Sequence, residues 1–130
     1  MRMYFKERIL SILDSYDIYD EDGRTLFTVK GKWGLSHRFA IYDRNNIEVG
    51  YIEEKILTLF PKFYIYANGK QIGMIRRRFT VLRPLYTLDE LGWEMTGDIF
   101  QWDFTIRDSS NRLVADIPKK LLSISDTYWI

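Results

Sequence analysis

Apolar and polar positions along this chain follow one pattern four times over. An apolar anchor is followed by a polar turn cluster, a hydrophobic residue with a small one after it in three of the four copies, a second apolar anchor and then charges. The copies run from Ile18 to Val29, Ile41 to Ile52, Ile65 to Ile75 and Ile106 to Ile117. The turn clusters are Asp20-Glu21-Asp22-Gly23, Asp43-Arg44-Asn45-Asn46, Ala67-Asn68-Gly69-Lys70 and Asp108-Ser109-Ser110-Asn111. Two apolar runs around a Gly, Asn and Asp cluster predict a β-hairpin, so the chain reads as one hairpin unit used repeatedly.

Details of the repeat carry more. The anchors lie 11, 11, 10 and 11 residues apart, and the short copy holds Asn68-Gly69, which suits a two-residue turn with positive φ at both central positions. Before the second anchors come Leu26-Phe27, Val49-Gly50, Ile72-Gly73 and Val114-Ala115. The small residues predict a strand that bends sharply or lies close to another backbone. Between the third and fourth copies the spacing of first anchors widens from 23 and 24 residues to 41, room for an extra pair of strands. Arg78 to Leu82, Tyr86 to Leu88 and Trp93 to Thr96 read as strands, with Gly97-Asp98 as a turn before Phe100 to Phe104. The stretch from Glu7 to Tyr16 fits either a helix or a bulged strand. About ten strands result, in a single all-β, antiparallel domain over residues 1–130.

Composition agrees. Aromatics make up 16% of 130 residues, and they favour the half-buried surface of a sheet. Nineteen basic against eighteen acidic residues leave a net charge of +1, without the basic excess that marks a nucleic-acid binder. The chain has no cysteine, which removes disulfides and thiol chemistry and fits a reducing compartment. No apolar run reaches the length of a transmembrane helix, and the amino terminus lacks the features of a signal peptide. A cytoplasmic protein, peripheral at a membrane if it meets one, is the expectation.

Several motifs then resemble the LURP-one-related family: Met3-Tyr4-Phe5-Lys6; Tyr16-x-Ile18-Tyr19-Asp20-x-x-Gly23; Phe63-Tyr64-Ile65-Tyr66-x-Asn68-Gly69; Gly92-Trp93-Glu94-x-x-Gly97-Asp98; Ser109 to Lys120; and Asp126-Thr127-Tyr128. The likeness runs over nearly the whole chain. The resemblance implies the barrel of the tubby C-terminal domain and the phospholipid scramblases: twelve antiparallel strands closed around a hydrophobic helix that follows the strand matching Asp126-Thr127-Tyr128. This sequence ends at Ile130 with no such helix, so the expectation is an incomplete barrel whose interior is collapsed, water-filled or occupied from outside.

Candidate chemistry is sparse. Arg76-Arg77-Arg78, with Arg83, Lys62 and Lys70, form the densest basic feature, and such a patch suits an anionic lipid headgroup or phosphate. Alternation along a strand prevents the three arginines from sharing one face, and charges on a strand also serve simply to block unwanted pairing. His37, the one histidine, reads as a surface loop residue. The acids Asp20-Glu21-Asp22, Glu53-Glu54, Asp89-Glu90 and Asp98 read as turn and surface residues rather than metal ligands. The four tryptophans read as core or rim. No nucleophile pairs with a base, and no cofactor is called for. The sequence therefore predicts a non-enzymatic binding or scaffold module for an anionic lipid or apolar ligand. The alternative is an oligomerising component whose open apolar interior is covered by a partner chain.

Overall fold

The computed structural model describes residues 1–7, 13–98, 103–118 and 127–129. They form β1 (Tyr4–Glu7), β2 (Ser15–Tyr19), β3 (Thr25–Gly31), β4 (Arg38–Asp43), β5 (Glu48–Glu54), β6 (Lys62–Ala67), β7 (Lys70–Arg78), β8 (Leu85–Leu88), β9 (Trp93–Asp98), β10 (Asp103–Arg107), β11 (Leu113–Ile117) and β12 (Thr127–Trp129). A single 3₁₀ turn, Asp89–Leu91, joins β8 to β9, and the described residues contain no α-helix. All ladders are antiparallel, and the order is β11-β10-β9-β8-β7-β6-β5-β4-β3-β2-β1-β12. Each strand from β1 to β11 pairs with its neighbours in sequence, which is what serial hairpins produce.

The hydrophobic-small pair proves to be a β-bulge. Registers shift after Ile18, Ile41, Ile65 and Ile106, the first anchor of each copy. Across the ladder from each anchor stands the second member of the pair: Phe27, Gly50, Gly73 and Ala115 respectively. The first member, Leu26, Val49, Ile72 or Val114, is the extra residue that the bulge leaves unpaired. The turns recur as well. Asp20, Asp43 and Asp108 each accept, through Oδ1, hydrogen bonds from the amides two and four residues on, at 2.9–3.0 Å. Gly23, Asn46 and Asn111 close those turns with φ of 76°, 60° and 62°. In the short copy Asn68 and Gly69 have φ of 49° and 75°, the pair of positive values the tight turn demands.

Cross-strand partners share a face, so register sorts the side chains. Ile18 faces Phe27, Val29 faces Ile41, Ile52 faces Ile65, Ile75 faces Leu88 and Met95 faces Ile106, which makes one face of the sheet almost wholly apolar. The other face carries Tyr4 stacked on Tyr19 at 5.8 Å, Tyr51 against Tyr66 at 5.9 Å, and charged residues.

The apolar face is poorly covered. Among the described residues the buried hydrophobic side chains are Ala40, Tyr86, Leu88 and Ile117. The chain exposes 9418 Å², whereas a compact monomer of 15.6 kDa exposes roughly 7,200 Å².

No ladder joins β11 to β12 among the described residues, so the antiparallel sheet is not closed, as the expected incompleteness implies. Other expectations are corrected. Twelve strands replace about ten, because the amino-terminal segment and residues 127–129 add one each. Residues 79–82 are not a strand: β7 stops at Arg78 and an irregular connection leads through Pro84. Proline has no N–H to continue a ladder. Gly97 and Asp98 end β9 instead of forming a turn. Of the proposed helix or bulged strand at residues 7–16, residues 8–12 lie outside the described residues, while Glu7 closes β1 and Ser15 and Tyr16 open β2. Phe100 to Trp102 also lie outside them.

Candidate functional site: one end of the sheet

A serial antiparallel sheet sends its connections alternately to two ends. The two ends here differ in chemistry. At one end are the hairpin turns 20–23, 43–47, 68–69, 89–92 and 108–111, in which Ile47 and Leu91 are the large apolar residues. At the other are the longer connections β3–β4 (residues 32–37), β5–β6 (55–61) and β7–β8 (79–84). These three contain Trp33, Leu35, Ile56, Leu57, Leu59, Phe60, Phe79, Val81 and Leu82, the cations Lys32, Lys55 and Arg83, His37, and neither Asp nor Glu.

All of these apolar side chains but the half-buried Phe60 are exposed. Leu35, Leu57, Leu59, Val81 and Leu82 each expose 89% or more of their surface, and Trp33 exposes 74%. Isolated exposed leucines are ordinary, but a cluster at one end of a molecule is not. Two of the connections touch, Phe60 against Phe79 with ring centroids 6.4 Å apart. The β5–β6 connection is held in shape by the Lys55 amide donating to the Lys62 carbonyl (2.8 Å) and by the Thr58 hydroxyl donating to the Phe60 carbonyl (2.7 Å). Leu57 sits in it with φ of 61°, a left-handed conformation unfavourable for a bulky side chain.

The basic residues singled out in the sequence divide into three groups. Arg76 and Arg78 lie on the tyrosine-bearing face of β7 and are drawn onto acids: Arg78 Nη2 reaches Asp89 at 2.7 Å, Arg78 Nε donates to the Thr87 hydroxyl at 2.9 Å, and Arg76 Nε lies 3.6 Å from Asp89. Hydrogen bonding from Thr87 and then Arg78 holds the Asp89 carboxyl below its ordinary range. Lys70 belongs to the Asn68-Gly69 turn at the opposite end, about 20 Å along β7 from Arg76, so the structure does not bring it to the others. Lys62, Arg77 and Arg83 remain at the apolar end, with no ion-pair partner among the described residues. Lys62 stands on the tyrosine face opposite Arg76, Arg77 on the apolar face opposite Tyr86, and Arg83 in the β7–β8 connection. It is the end of the sheet, not either face, that collects free positive charge.

Lys55 joins this group, its ammonium 5.7 Å from the Tyr64 ring centroid, and sequence reasoning missed it. It also missed the exposed apolar residues around it. The available signal was the run Ile56-Leu57-Thr58-Leu59-Phe60-Pro61, apolar without strand alternation and stopped by proline.

The remaining polar features near this end are already engaged. Lys32 pairs with Glu48 at 3.1 Å, which raises the Lys32 pKa. His37 lies in the β3–β4 connection, and its Nδ1 meets the Glu54 carboxylate at 2.5 Å, lowering the Glu54 pKa. Asp98 and Asp103 line a concavity of about 410 Å³ together with Arg83 and Pro84, so the β9–β10 side of the end is the more acidic one. Trp33 is a rim residue and Trp93 a half-buried one on the apolar face. Among the described residues no three His, Cys, Asp or Glu side chains gather to hold a metal ion, and no helix is long and apolar enough to cross a membrane.

Comparison with known proteins supplies a family. The chain is 28% identical over 131 residues to the uncharacterised protein YxjI of Bacillus subtilis (strain 168), an alignment that covers all of this chain and 80% of YxjI. No solved structure matches. The family model for LURP-one-related proteins matches residues 1–130, and the chain belongs to that family.

Proposed function

We propose that this protein is a non-enzymatic binding module that works at an anionic lipid surface. The observation that carries this reading is the set of unpaired cations at one end of the sheet, Lys55, Lys62, Arg77 and Arg83, beside three connections without acidic residues. Lysine ammonium and arginine guanidinium groups suit phosphate oxygens, and several such groups acting together attract a negatively charged leaflet. Sedimentation with vesicles of phosphatidylcholine, alone or mixed with cardiolipin, tests it. The anionic vesicles carry the protein down, and the double variant Lys62→Glu with Arg77→Glu stays in the supernatant. Equal and negligible binding to both vesicles would remove the reading.

A second reading is favoured by a different observation. The surface in excess of a compact monomer is roughly 2,000 Å² per chain, about 4,000 Å² for two copies, which is within the range that obligate homodimer interfaces bury. On that reading the apolar face, with Phe27, Ile41, Ile52, Ile65 and Ile75, is covered by a second copy of the chain. Light scattering over a range of concentrations decides: a dimer supports the reading, and a monomer at every concentration excludes it.

A further inference from the structure

Resting on the lipid-surface reading, we infer that the protein meets the bilayer end-on, with the tips of the β5–β6 and β7–β8 connections inserted among the headgroups and acyl-chain ends and the polar hairpin turns held away in water. Leu57, Leu59, Val81 and Leu82 are the inserted anchors.

Four features converge on this orientation. The anchors are exposed almost completely and sit at the tips of connections rather than in a groove, a shape that suits a deformable bilayer more than a rigid protein partner. They are flanked by Lys55, Lys62, Arg77 and Arg83, and apolar side chains interleaved with cations are the composition that binds an anionic interface. Phe60 and Phe79 meet at 6.4 Å between ring centroids, so the two connections touch each other at this end, and Phe79 adds a further exposed ring to it. Trp33, in the third connection at the same end, is an amphipathic ring of the type enriched at the membrane–water boundary.

The opposite end fits the other half of the inference. Its turns hold Asp20, Glu21, Asp22, Asp43, Asp89, Glu90 and Asp108 against Arg24, Arg44, Lys70 and Arg112. Arg24 and Arg112 are taken up by Asp20, Asp22 and Asp108, so this end offers an anionic leaflet little free positive charge. The contrast in charge is confined to the β5–β8 side, where Lys55, Lys62, Arg77 and Arg83 outnumber Glu53 and Glu54, and it is this side that an anionic leaflet attracts before any apolar side chain is buried. The inserted side lies toward β5–β8, since Asp98 and Asp103 make the β9–β10 side less suited to anionic lipid.

The test is a variant with Leu57, Leu59, Val81 and Leu82 all changed to Ser, compared with wild type on phosphatidylcholine vesicles with and without phosphatidylglycerol. All four side chains are exposed, so the far-ultraviolet spectrum and melting temperature are retained. Partitioning to anionic vesicles falls about tenfold or more, as loss of four inserted aliphatic side chains requires. The control Ile47→Ser, exposed at the polar end, leaves partitioning unchanged. If the fourfold variant partitions like wild type, the end-on orientation is wrong while cation-driven lipid binding stands. If wild type binds neither vesicle, both readings fail. Should the fourfold variant not fold, Leu82→Ser and Leu59→Ser singly carry the test, each with several-fold weaker binding, and unaltered binding in both overturns the inference.

Discussion

Lys62 and Arg76 stand directly opposite each other on the β6–β7 ladder, one cation facing another across the strands. Like charges in that position are unfavourable, and Asp89, 3.6 Å from Arg76 Nε, offsets only the arginine. Replacing Lys62 by Gln is expected to raise stability by about 0.5 kcal/mol while weakening binding to anionic vesicles several-fold. Thermal melting and vesicle sedimentation on the same variant check both directions. A residue kept only for structure would not give this opposition.

Leu57 presents a similar trade. Its φ of 61° places a branched, fully exposed side chain in a region that asparagine tolerates better. The change Leu57→Asn is expected to stabilise the fold by about 0.5–1 kcal/mol and to reduce vesicle binding. Chemical denaturation and sedimentation measure the pair.

Glycine substitutions separate positions that need glycine for space from those that need it for φ alone. A Cβ at Gly97, which has φ of 125°, would overlap the Asp103 carbonyl and stand 2.7 Å from the Phe104 Cα, both backbone atoms that cannot yield cheaply. Gly69 has φ of 75° and nothing within 4 Å of its added Cβ. Gly97→Ala is therefore expected to cost about 3 kcal/mol or more and Gly69→Ala about 1 kcal/mol. Urea unfolding of the two variants gives the comparison.

Acid sensitivity follows from the repeated turns. The Arg24 amide and then its guanidinium hold the Asp20 carboxyl below the ordinary aspartate range, and the Arg112 amide and guanidinium do the same for Asp108. Because the folded-state pKa lies below the unfolded one, the unfolded chain takes up protons first as pH falls. The stability these groups contribute is complete above about pH 4–5 and is lost as pH drops through the folded pKa values. Wild-type urea midpoints are expected to decline below about pH 4, and the double variant Asp20→Asn with Asp108→Asn to decline less over the same range. Parallel decline in both proteins would contradict the assignment.

Much of the fold is legible because the repeat encodes its own bulges and turns. Ile41 faces Gly50, and a Cβ on Gly50 would lie 3.3 Å from Ile41 Cδ1, a tight approach that a small residue after the bulged Val49 avoids. Gly73 is tighter still, with Leu88 Cδ1 at 2.6 Å from an added Cβ. Such contacts leave a mark in one sequence, as does an aspartate that accepts two amides in a turn. The apolar end was less legible. Phe79 to Leu82 have strand-like composition, yet Pro84 and the end of the β7 ladder leave them outside the sheet, and a run of β-formers carries no local sign of that. The basic cluster was half legible: alternation separated Arg77 from Arg76 and Arg78, but the capture of those two by Asp89 depends on β8 packing beside β7. Sheet closure depends on contacts between distant strands, about which local pattern says nothing.

The absence of native cysteine allows a single spin label to be placed at will. Labelled Leu82→Cys and Asn45→Cys report the two ends, and the most direct measurement is their accessibility to oxygen and to a water-soluble nickel chelate on phosphatidylglycerol-containing vesicles. With the end-on orientation, the label at position 82 gains oxygen and loses nickel contact on binding, while the label at 45 stays as it is in solution. A label at 82 that remains fully open to nickel on vesicle-bound protein, or a label at 45 that becomes protected instead, would contradict it.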